Sequence, residues 1–300
     1  YVSIFITAYW EITKQPKLKP FLFQGLIFSA FATAIFGLIQ YFLFPDIRPL
    51  EIYDWDPHLF RLVGTFLDPG FIGVIFVLGL ALLIWENWSK VTKFSPSQLT
   101  LYSLLSTLYL SLALSYSRAS YFAFLAGISL ISWQKKSWKF FLSVFMLFTL
   151  TLVILPRPEG IGVRLEREDS IKARIQNWKN SLQIFFDHPI FGVGFNAYRY
   201  AQARYGFLDQ EKIYLSHAGA GADSSILFIF ATTGLVGGSV FIWFLVSLIK
   251  FLLHHKLYLI LFSWLLVLAH SLFLNSLFYS WVMLWLVILT VSSVYTNLRD

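Results

Sequence analysis

The sequence has no cysteine and few charged residues, and these two scarcities limit what the chain can be. Without cysteine it can form neither disulfides nor thiolate metal sites. Charged residues make up 13% of the chain, roughly half of the share of about 25% found in soluble domains. Hydrophobic residues make up 57%, aromatic residues 19%, and the mean hydropathy is +0.67. The composition therefore predicts an integral membrane protein.

Apolar stretches recur along the chain at the length that a helix needs to cross a bilayer, about 20 residues. Strands of a membrane barrel would instead alternate over about 10 residues. We therefore predict an all-α polytopic membrane protein with about eight complete transmembrane helices plus a partial one. The predicted spans are 21–44, 62–85, 98–116, 119–133, 139–155, 224–249, 257–274 and 276–295.

The connections between the spans alternate in character, and short loops rich in Lys and Arg stay on the cytoplasmic side. One set carries the lysines. The other contains an acidic segment at 46–56, a turn at 115–118 and a long polar segment at 156–223. We therefore expect the long segment to lie outside the bacterial cytoplasmic membrane. The lysines of the inner set are Lys14, Lys17, Lys19, Lys90, Lys93, Lys135, Lys136, Lys139, Lys250 and Lys256.

The segment 156–223 is predicted to be an extracytoplasmic loop between the fifth and sixth spans. Apolar residues at helical spacing predict a helix at 174–186, which Pro189 and the glycines after it end. A long loop of this kind is where chemistry is expected in a membrane protein. No second core is evident, so we interpret 1–300 as a single membrane domain and as a fragment of a longer chain. Its first residues, 1–10, resemble the end of a further span.

Two arginines are the strongest candidates for binding an anion. Arg118 lies between two apolar spans near the outer interface, where a charge is costly unless it snorkels, pairs or faces a wet cavity. It is either an interfacial anchor or a cation aimed inward at an anionic ligand. Arg174 begins the predicted loop helix, and its planar fork suits phosphate. Its neighbours Arg164, Arg167 and Lys172 alternate with acids and indicate a solvated face, so we discount them.

The glycine-rich run before the sixth span contains the candidate bases. Asp223 stands where the chain enters the membrane, and it is either the N-cap of the next helix or a reactive group. His217 is either a base near neutral pH or an incidental residue of a mobile loop. We also expect a hydrogen bond between His270 and Asn275 of the last two spans.

Other ligand classes receive no support from the sequence. No group of His, Asp and Glu shows metal-ligand spacing on the outer side, so we expect no metal and no other cofactor. No Walker-type phosphate loop occurs, so nothing indicates nucleotide-driven transport. Membrane lipid is an expected partner, and nucleic acid is not.

Several segments agree in order and spacing with the motifs of a known family. They are 61–70 with Gly-Thr-Phe-Leu-Asp-Pro-Gly, 117–119 with Ser-Arg-Ala, 174–178 with Arg-x3-Trp, 188–194 with His-Pro-Ile-Phe-Gly-Val-Gly, and 223–237 with Asp-Ser-Ser-Ile-Leu and Thr-Gly-Leu-Val-Gly. Together they resemble the O-antigen ligase and polymerase superfamily of bacterial polyprenyl-linked glycan transferases.

The resemblance implies a membrane glycosyltransferase of O-antigen or capsule-type polysaccharide synthesis that needs no metal. Its donor would be a glycan on polyprenyl pyrophosphate, and its acceptor a hydroxyl of a glycan, lipid or protein. Arg118 and Arg174 would bind the pyrophosphate, with Trp178 beside them in the substrate site. Asp223 or His217 would take the proton of the acceptor.

One position departs from the ligase pattern. In that branch a His stands eleven residues before the first Gly of Gly-x-x-Gly. Here that Gly is Gly234 and the residue is Asp223, while His217 lies six residues too early. Family members with Asp at this position resemble chain polymerases more than ligases. Polymerase and ligase both stay open, as do two other functions: a transporter of a small solute such as bicarbonate, and a non-catalytic scaffold for envelope assembly.

Overall fold

The computed structural model is all-helical and describes residues 2–15, 17–93, 95–158, 160–214, 216 and 218–297. Helix accounts for 77% of it, and the described part contains no strand beyond an isolated bridge between Asp46 and Leu59. The α-helices are α1 Val2–Lys14, α2 Leu18–Leu43, α3 Pro69–Glu86, α4 Trp88–Thr92, α5 Leu99–Leu114, α6 Arg118–Gln134, α7 Trp138–Ile154, α8 Asp169–Asp187, α9 Tyr198–Arg204, α10 Ser225–His254, α11 Tyr258–His270 and α12 Ser280–Asn297. Short 3₁₀ turns lie at Arg48–Tyr53, Gly64–Phe66, Pro96–Gln98, Ile161–Val163, Phe195–Ala197, Gln210–Lys212, Ala218–Ala220 and Ser276–Phe278.

The all-α prediction is confirmed, and a helix lies at each of the eight predicted spans. Among the described residues, α2, α3 and α10 are long and apolar enough to cross a membrane, and α7, α11 and α12 are shorter apolar helices. Large apolar side chains are exposed along α2, α7 and α10, as a surface that meets lipid requires. The number of crossings stays a prediction.

The second predicted span is wrong at its start, because α3 begins at Pro69 and not at residue 62. The Asp68 side chain caps the helix, and its Oδ1 accepts from the N–H groups of Gly70 at 2.7 Å and Phe71 at 2.8 Å. Proline is well tolerated in a first helical turn because it has no N–H to satisfy. The preceding residues 62–68 are therefore free to line the end of the bundle.

The core is built around α3, which is apolar on every side and almost wholly buried. It packs against α2, α5, α6 and α11. Glycine allows the closest approach: a Cβ on Gly73 would lie 2.4 Å from Ser120 Oγ, and one on Gly79 would lie 3.0 Å from Ala30 Cβ. Small residues of this kind let membrane helices pack backbone to backbone.

The helix α10 is broken at Gly234, whose φ of 63° and ψ of −161° lie outside the helical region. Residues 189–194 of the long loop fill the break. The N–H groups of Leu235 and Val236 donate to the carbonyls of Pro189 and Ile190 at 2.8 and 3.1 Å. In the other direction, the N–H groups of residues 193 and 194 donate to the carbonyls of residues 231 and 232. The glycine motif at 188–194 and the glycine motif that begins at Gly234 are thus hydrogen-bonded to each other.

The long loop folds onto the first half of α10. Its helix α8 begins at Asp169, five residues before the predicted start at 174, and an acid in the first turn suits the helix dipole. Ile184 of α8, Tyr198 of α9 and Phe228 of α10 share a small buried cluster. Because these contacts fix α8 against α10, residues of the loop and of the bundle reach a common site.

The predicted hydrogen bond between His270 and Asn275 is wrong. His270 Nδ1 instead lies 2.6 Å from Ser276 Oγ, and its Nε2 lies 3.2 Å from Ser120 Oγ. Both ring nitrogens are therefore engaged by serine hydroxyls of neighbouring elements.

Candidate active site

A cavity of about 1340 Å³ opens between the long loop and one end of the helix bundle. It is lined by the α2–α3 connection, the long loop with α8, the α11–α12 connection, and the first turns of α3, α6 and α10. The charged and imidazole-bearing residues on its wall are Arg48, Asp54, Asp56, His58, Arg61, Asp68, Arg118, Arg167, Asp169, Arg174, Arg199 and Asp223. Arg118, Arg174 and Asp223, which sequence reasoning singled out, therefore face one space.

Arg118 lines the cavity and also connects α6 to the long loop. Its Nη1 donates to the carbonyls of Leu165 and Arg167 at 3.1 and 3.2 Å, and its Nη2 donates to Ser170 Oγ at 2.6 Å. Ser117, the N-cap of α6, fixes the turn before it. The side chain thus ties the start of α6 to the segment that leads into α8, and this contact holds its guanidinium at the cavity.

Arg167 belongs to the same cationic group, so the sequence-based decision to discount it was wrong. Its Nη1 donates to the carbonyls of Gly162 and Arg164, both at 2.8 Å. Burial, reinforced by the positive charges of Arg118 and Arg174, lowers the pKa of Arg167 to about 10. The charges of the three guanidinium groups thus act on one another across the cavity that they line. We call Arg118, Arg167 and Arg174 the arginine cluster.

The arginine cluster has no carboxylate partner within the described part of the chain. The ion pairs there are Asp46–Arg48, Arg157–Glu166 and Lys172–Glu168. Lys172 is thus a solvated surface residue, as predicted for the charged run. Three neighbouring cations on a cavity wall without a matching acid favour an anionic ligand, because arginine forks bind phosphate oxygens in pairs.

Asp223 is not the N-cap of α10. Ser224 occupies that position, and its side chain accepts from the N–H of Leu227 at 3.5 Å. The carboxylate of Asp223 makes no hydrogen bond to the described residues, while its backbone is held by α8. Burial raises the pKa of Asp223 to about 6, against the opposing effect of Arg174. These observations favour the interpretation of Asp223 as a reactive group over its interpretation as an N-cap.

The other two predicted site residues have different outcomes. Trp178 is not among the described residues that line the cavity; its Nε1 donates to the carbonyl of Asp223 at 3.2 Å. His217 lies outside the described residues. The glycine-rich run around it is anchored at Gly219, whose carbonyl accepts from Gln202 and whose N–H donates to Ser216.

The α2–α3 connection brings to the cavity a group that the sequence analysis missed. One ring nitrogen of His58 and one carboxylate oxygen each of Asp56 and Asp68 lie within 4.8 Å of one another. We call these three residues the acidic cluster. The expectation that no such group forms on this side was therefore wrong. An Asp-x-His spacing in extended chain, which places both side chains on one face, was the available signal.

The acidic cluster suits a divalent cation poorly because of Arg61. His58 Nδ1 lies 3.4 Å from Arg61 Nη1, and a guanidinium can only donate, so Nδ1 accepts and Nε2 keeps the proton. Burial and the charges of Arg61 and Arg167 lower the pKa of His58 to about 3. Asp68 Oδ1 is already occupied by the α3 cap. A protonated Nε2 cannot ligate a metal.

Arg61 also orders the turn that precedes Arg118. Its Nε and Nη2 donate to the carbonyls of Ser115 and Tyr116, both at 3.2 Å. Burial lowers the pKa of Arg61 to about 9. These bonds satisfy carbonyls at the end of α5, so the side chain links the α2–α3 connection to the start of α6.

The fold and site define a helical membrane protein whose polar cavity is lined by a half-buried carboxylate and by an arginine cluster that has no ion-pair partner among the described residues. Residues 101–242 match the family model described as O-antigen ligase. This match supports membership of the O-antigen ligase/polymerase family and confirms the resemblance seen in the motifs. It covers Arg118, Arg167, Arg174 and Asp223. A comparison with curated proteins found no match.

The family supports a general kind of activity. The match supports an O-antigen ligase or polymerase type of function in general, and that family suggests a glycosyl-transferring enzyme. The family implies a glycan or lipid-linked substrate in general.

Proposed function

We propose that the protein transfers a glycan from polyprenyl pyrophosphate to a hydroxyl acceptor at the outer face of the bacterial cytoplasmic membrane. It would act as an O-antigen or capsule-type polymerase or ligase. The observation that carries the proposal is that one cavity is lined by three arginines without an ion-pair partner, and by an aspartate whose carboxylate has no hydrogen-bond partner, among the described residues.

The arginine cluster fits the pyrophosphate of such a donor. Arg118 and Arg167 each donate hydrogen bonds to loop carbonyls, and these bonds orient their side chains. Arg174 Nε is buried without a partner in the described structure. Preoriented cations stabilise the charge that builds on a departing pyrophosphate more than they stabilise the bound donor. This difference is what lowers a reaction barrier.

The reaction that follows is a substitution at the anomeric carbon. The acceptor hydroxyl oxygen bonds to that carbon while the bond from the carbon to the pyrophosphate oxygen breaks. Asp223 takes the hydroxyl proton, and polyprenyl pyrophosphate leaves with the electron pair of the broken bond. With a pKa of about 6, Asp223 is mostly ionised at pH 7 yet basic enough to accept a proton. His217 is the alternative base.

The charge needed at the leaving group is supplied by the arginine cluster, so we propose a reaction without a metal ion. The polyprenyl chain would stay in the bilayer while its head group enters the cavity. The lysine-rich connections favour placing the cavity on the outer side. Residues 1–300 would form one membrane domain with 156–223 as its outer loop.

Transport is the less favoured function. Discontinuous helices do mark the substrate sites of many transporters, and α10 is broken at Gly234. Here, however, residues 189–194 take up the freed backbone groups, and Gly234 does not line the cavity. A non-catalytic scaffold would give the arginine cluster no role.

Substitution of the arginines tests the proposal. Arg118 and Arg174 are each changed to Lys and to Ala, and transfer of a polyprenyl-linked glycan is measured in membranes. We expect the Ala variants to lose about 100- to 1000-fold and the Lys variants to fall between, because lysine keeps the charge without the fork. Lys172→Ala, an exposed ion-paired cation on the same helix, is the matched control.

Full activity in all four variants would refute the proposal. Flux of a lipid-free solute into liposomes, unchanged by the acceptor, would favour a transporter. Glycan profiles of a deletion strain then separate the two transferases. Single-repeat glycans indicate a polymerase, and unattached full-length chains indicate a ligase.

A further inference from the structure

Three side chains on one face of α8 line the cavity or contact Asp223. Arg174, Asn177 and Trp178 are separated by three and four residues, the spacing that aligns side chains along a helix. Arg174 and Asn177 line the cavity. Asn177 Oδ1 accepts from the N–H of Asp223 at 2.8 Å, and Trp178 Nε1 donates to the carbonyl of Asp223 at 3.2 Å. Both backbone groups of Asp223 are therefore held by the helix that carries Arg174.

The other side of this segment is fixed by the end of α11 and the connection after it. The N–H of Ser225 donates to the carbonyl of Ser271 at 2.9 Å. A Cβ on Gly221 would lie 2.5 Å from Asn275 Nδ2, so the side chain of Asn275 would have to shift to admit any other residue there. Asn177 is the described contact that reaches the N–H of Asp223 itself. Removing it leaves Asp223 attached to α8 through Trp178 alone, while its neighbours stay attached.

We propose that Asn177 is a positioning residue that holds the carboxylate of Asp223 at a fixed place beside Arg174 for the transfer reaction. Trp178 is the second anchor of the same contact. The inference rests on the proposed function, because it assumes that Asp223 takes the acceptor proton. It also explains why a tryptophan that does not line the cavity follows Arg174 by one helical turn.

The contact has a consequence for the dependence of transfer on pH. Burial is the largest cause of the raised pKa of Asp223. The charged and titratable groups facing Asp223 are Arg174 from α8, Asp56 and Asp68 from the α2–α3 connection, and Tyr198 from α9. Loosening the segment exposes Asp223 to water and lowers its pKa.

Two substitutions of Asn177 are expected to shift the pH profile of glycan transfer in opposite directions. Asn177→Ala removes the hydrogen bond, so the acid limb of activity shifts to lower pH, and kcat falls about 100-fold from misplacement of the base. Asn177→Asp keeps an acceptor for the same N–H but adds a negative charge, so the acid limb shifts to higher pH. The KM for the donor changes little in Asn177→Ala, because the arginine cluster is intact.

The experiment measures glycan transfer against pH in membranes for both Asn177 variants, Asp223→Asn and the wild type, normalised to the amount of protein in the membrane. Asn180→Ala is the matched control, since this asparagine of α8 bonds to Gln176 and does not line the cavity. Adding Asn177→Ala to Asp223→Asn is expected to cause no further loss, because both changes act through one group.

The outcomes separate this inference from the proposed function. If Asp223→Asn keeps full activity, the base assignment itself fails. If Asp223→Asn is inactive while the Asn177 variants keep the wild-type rate and profile, the positioning role alone is overturned. Equal losses without any shift of the acid limb, or absence of both variants from the membrane, would make Asn177 a residue of the fold and would also overturn the inference.

Discussion

Replacing Gly234 by alanine tests whether the outer loop is built on the break in α10. The φ of 63° and ψ of −161° at Gly234 fall in a region that is essentially restricted to glycine. A Cβ there would lie 2.3 Å from the carbonyl oxygen of Ile190. The obstacle is backbone, which cannot rotate away as a side chain would. The loop residues 189–194 must therefore move.

The size of the effect follows from these contacts. Strain at this backbone conformation costs about 1–3 kcal/mol. Displacing residues 189 and 190 breaks the two hydrogen bonds to the N–H groups of Leu235 and Val236, at about 1 kcal/mol each. The total of roughly 3–5 kcal/mol corresponds to a factor of roughly 100 or more in the docking equilibrium of the loop.

Protease sensitivity of the outer loop in intact membranes, measured together with glycan transfer, is the assay. We expect Gly234→Ala to reach the membrane, because the apolar second half of α10 is unchanged, but to expose the loop and lose transfer. Gly25→Ala is the control: nothing lies within 4 Å of its Cβ position on α2, so the wild-type result is expected. A Gly234→Ala protein as resistant and as active as the wild type would refute the docking account.

Further predictions concern the charges of the cavity. Arg167→Ala is expected to lower transfer about 10-fold or more, and Arg167→Lys to lower it less, because lysine keeps the charge without the fork. Both are assayed in membranes beside the exposed control Lys172→Ala. Equal activity in all three variants would show that Arg167 has no role in transfer. Transfer is expected to fall as pH drops through about 6, since Asp223 must be ionised to accept a proton and its pKa is raised to about 6; a flat profile from pH 5 to 8 would contradict this. Chelation with EDTA is expected to leave the rate unchanged, and a loss restored by Mg²⁺ would assign the metal to the acidic cluster.

Most of the helical architecture could be predicted from the sequence, because its signals are local. Apolar runs of sufficient length mark the helices wherever the chain must satisfy its backbone within one segment. Asp68 and Pro69 mark the start of α3 by capping chemistry that involves only the next few residues. The prediction overran there because the apolar residues 62–67 continue the hydrophobic run without continuing the helix.

The site could be predicted only in part, because its composition depends on tertiary contacts. Arg118 and Asp223 stand out by their positions near the ends of spans, and Arg174 by its position at the start of the predicted loop helix. Arg167 does not, since its charged neighbours in sequence resemble a solvated face and only the packing of the loop brings it to the cavity. The acidic cluster is similar: Asp56 and Asp68 are twelve residues apart and meet through the fold of their connection.

The glycine motifs show a third kind of limit. Their spacing indicated a family, but not that residues 189–194 pair with the two ends of a broken helix. Hydrogen bonding between segments some forty residues apart leaves no periodic trace in either. The same holds for Asn177, whose proposed role depends on its hydrogen bond to Asp223, a residue that follows α9 in the chain.

The most direct test of the account is the release of polyprenyl pyrophosphate by the purified protein in lipid vesicles that contain a glycan-loaded donor and an acceptor. The account predicts one released polyprenyl pyrophosphate for each new glycosidic bond, with release reduced about 100-fold or more in Arg174→Ala and abolished in Asp223→Asn. Wild-type rates in both variants, or no acceptor-dependent release by the wild type, would contradict it.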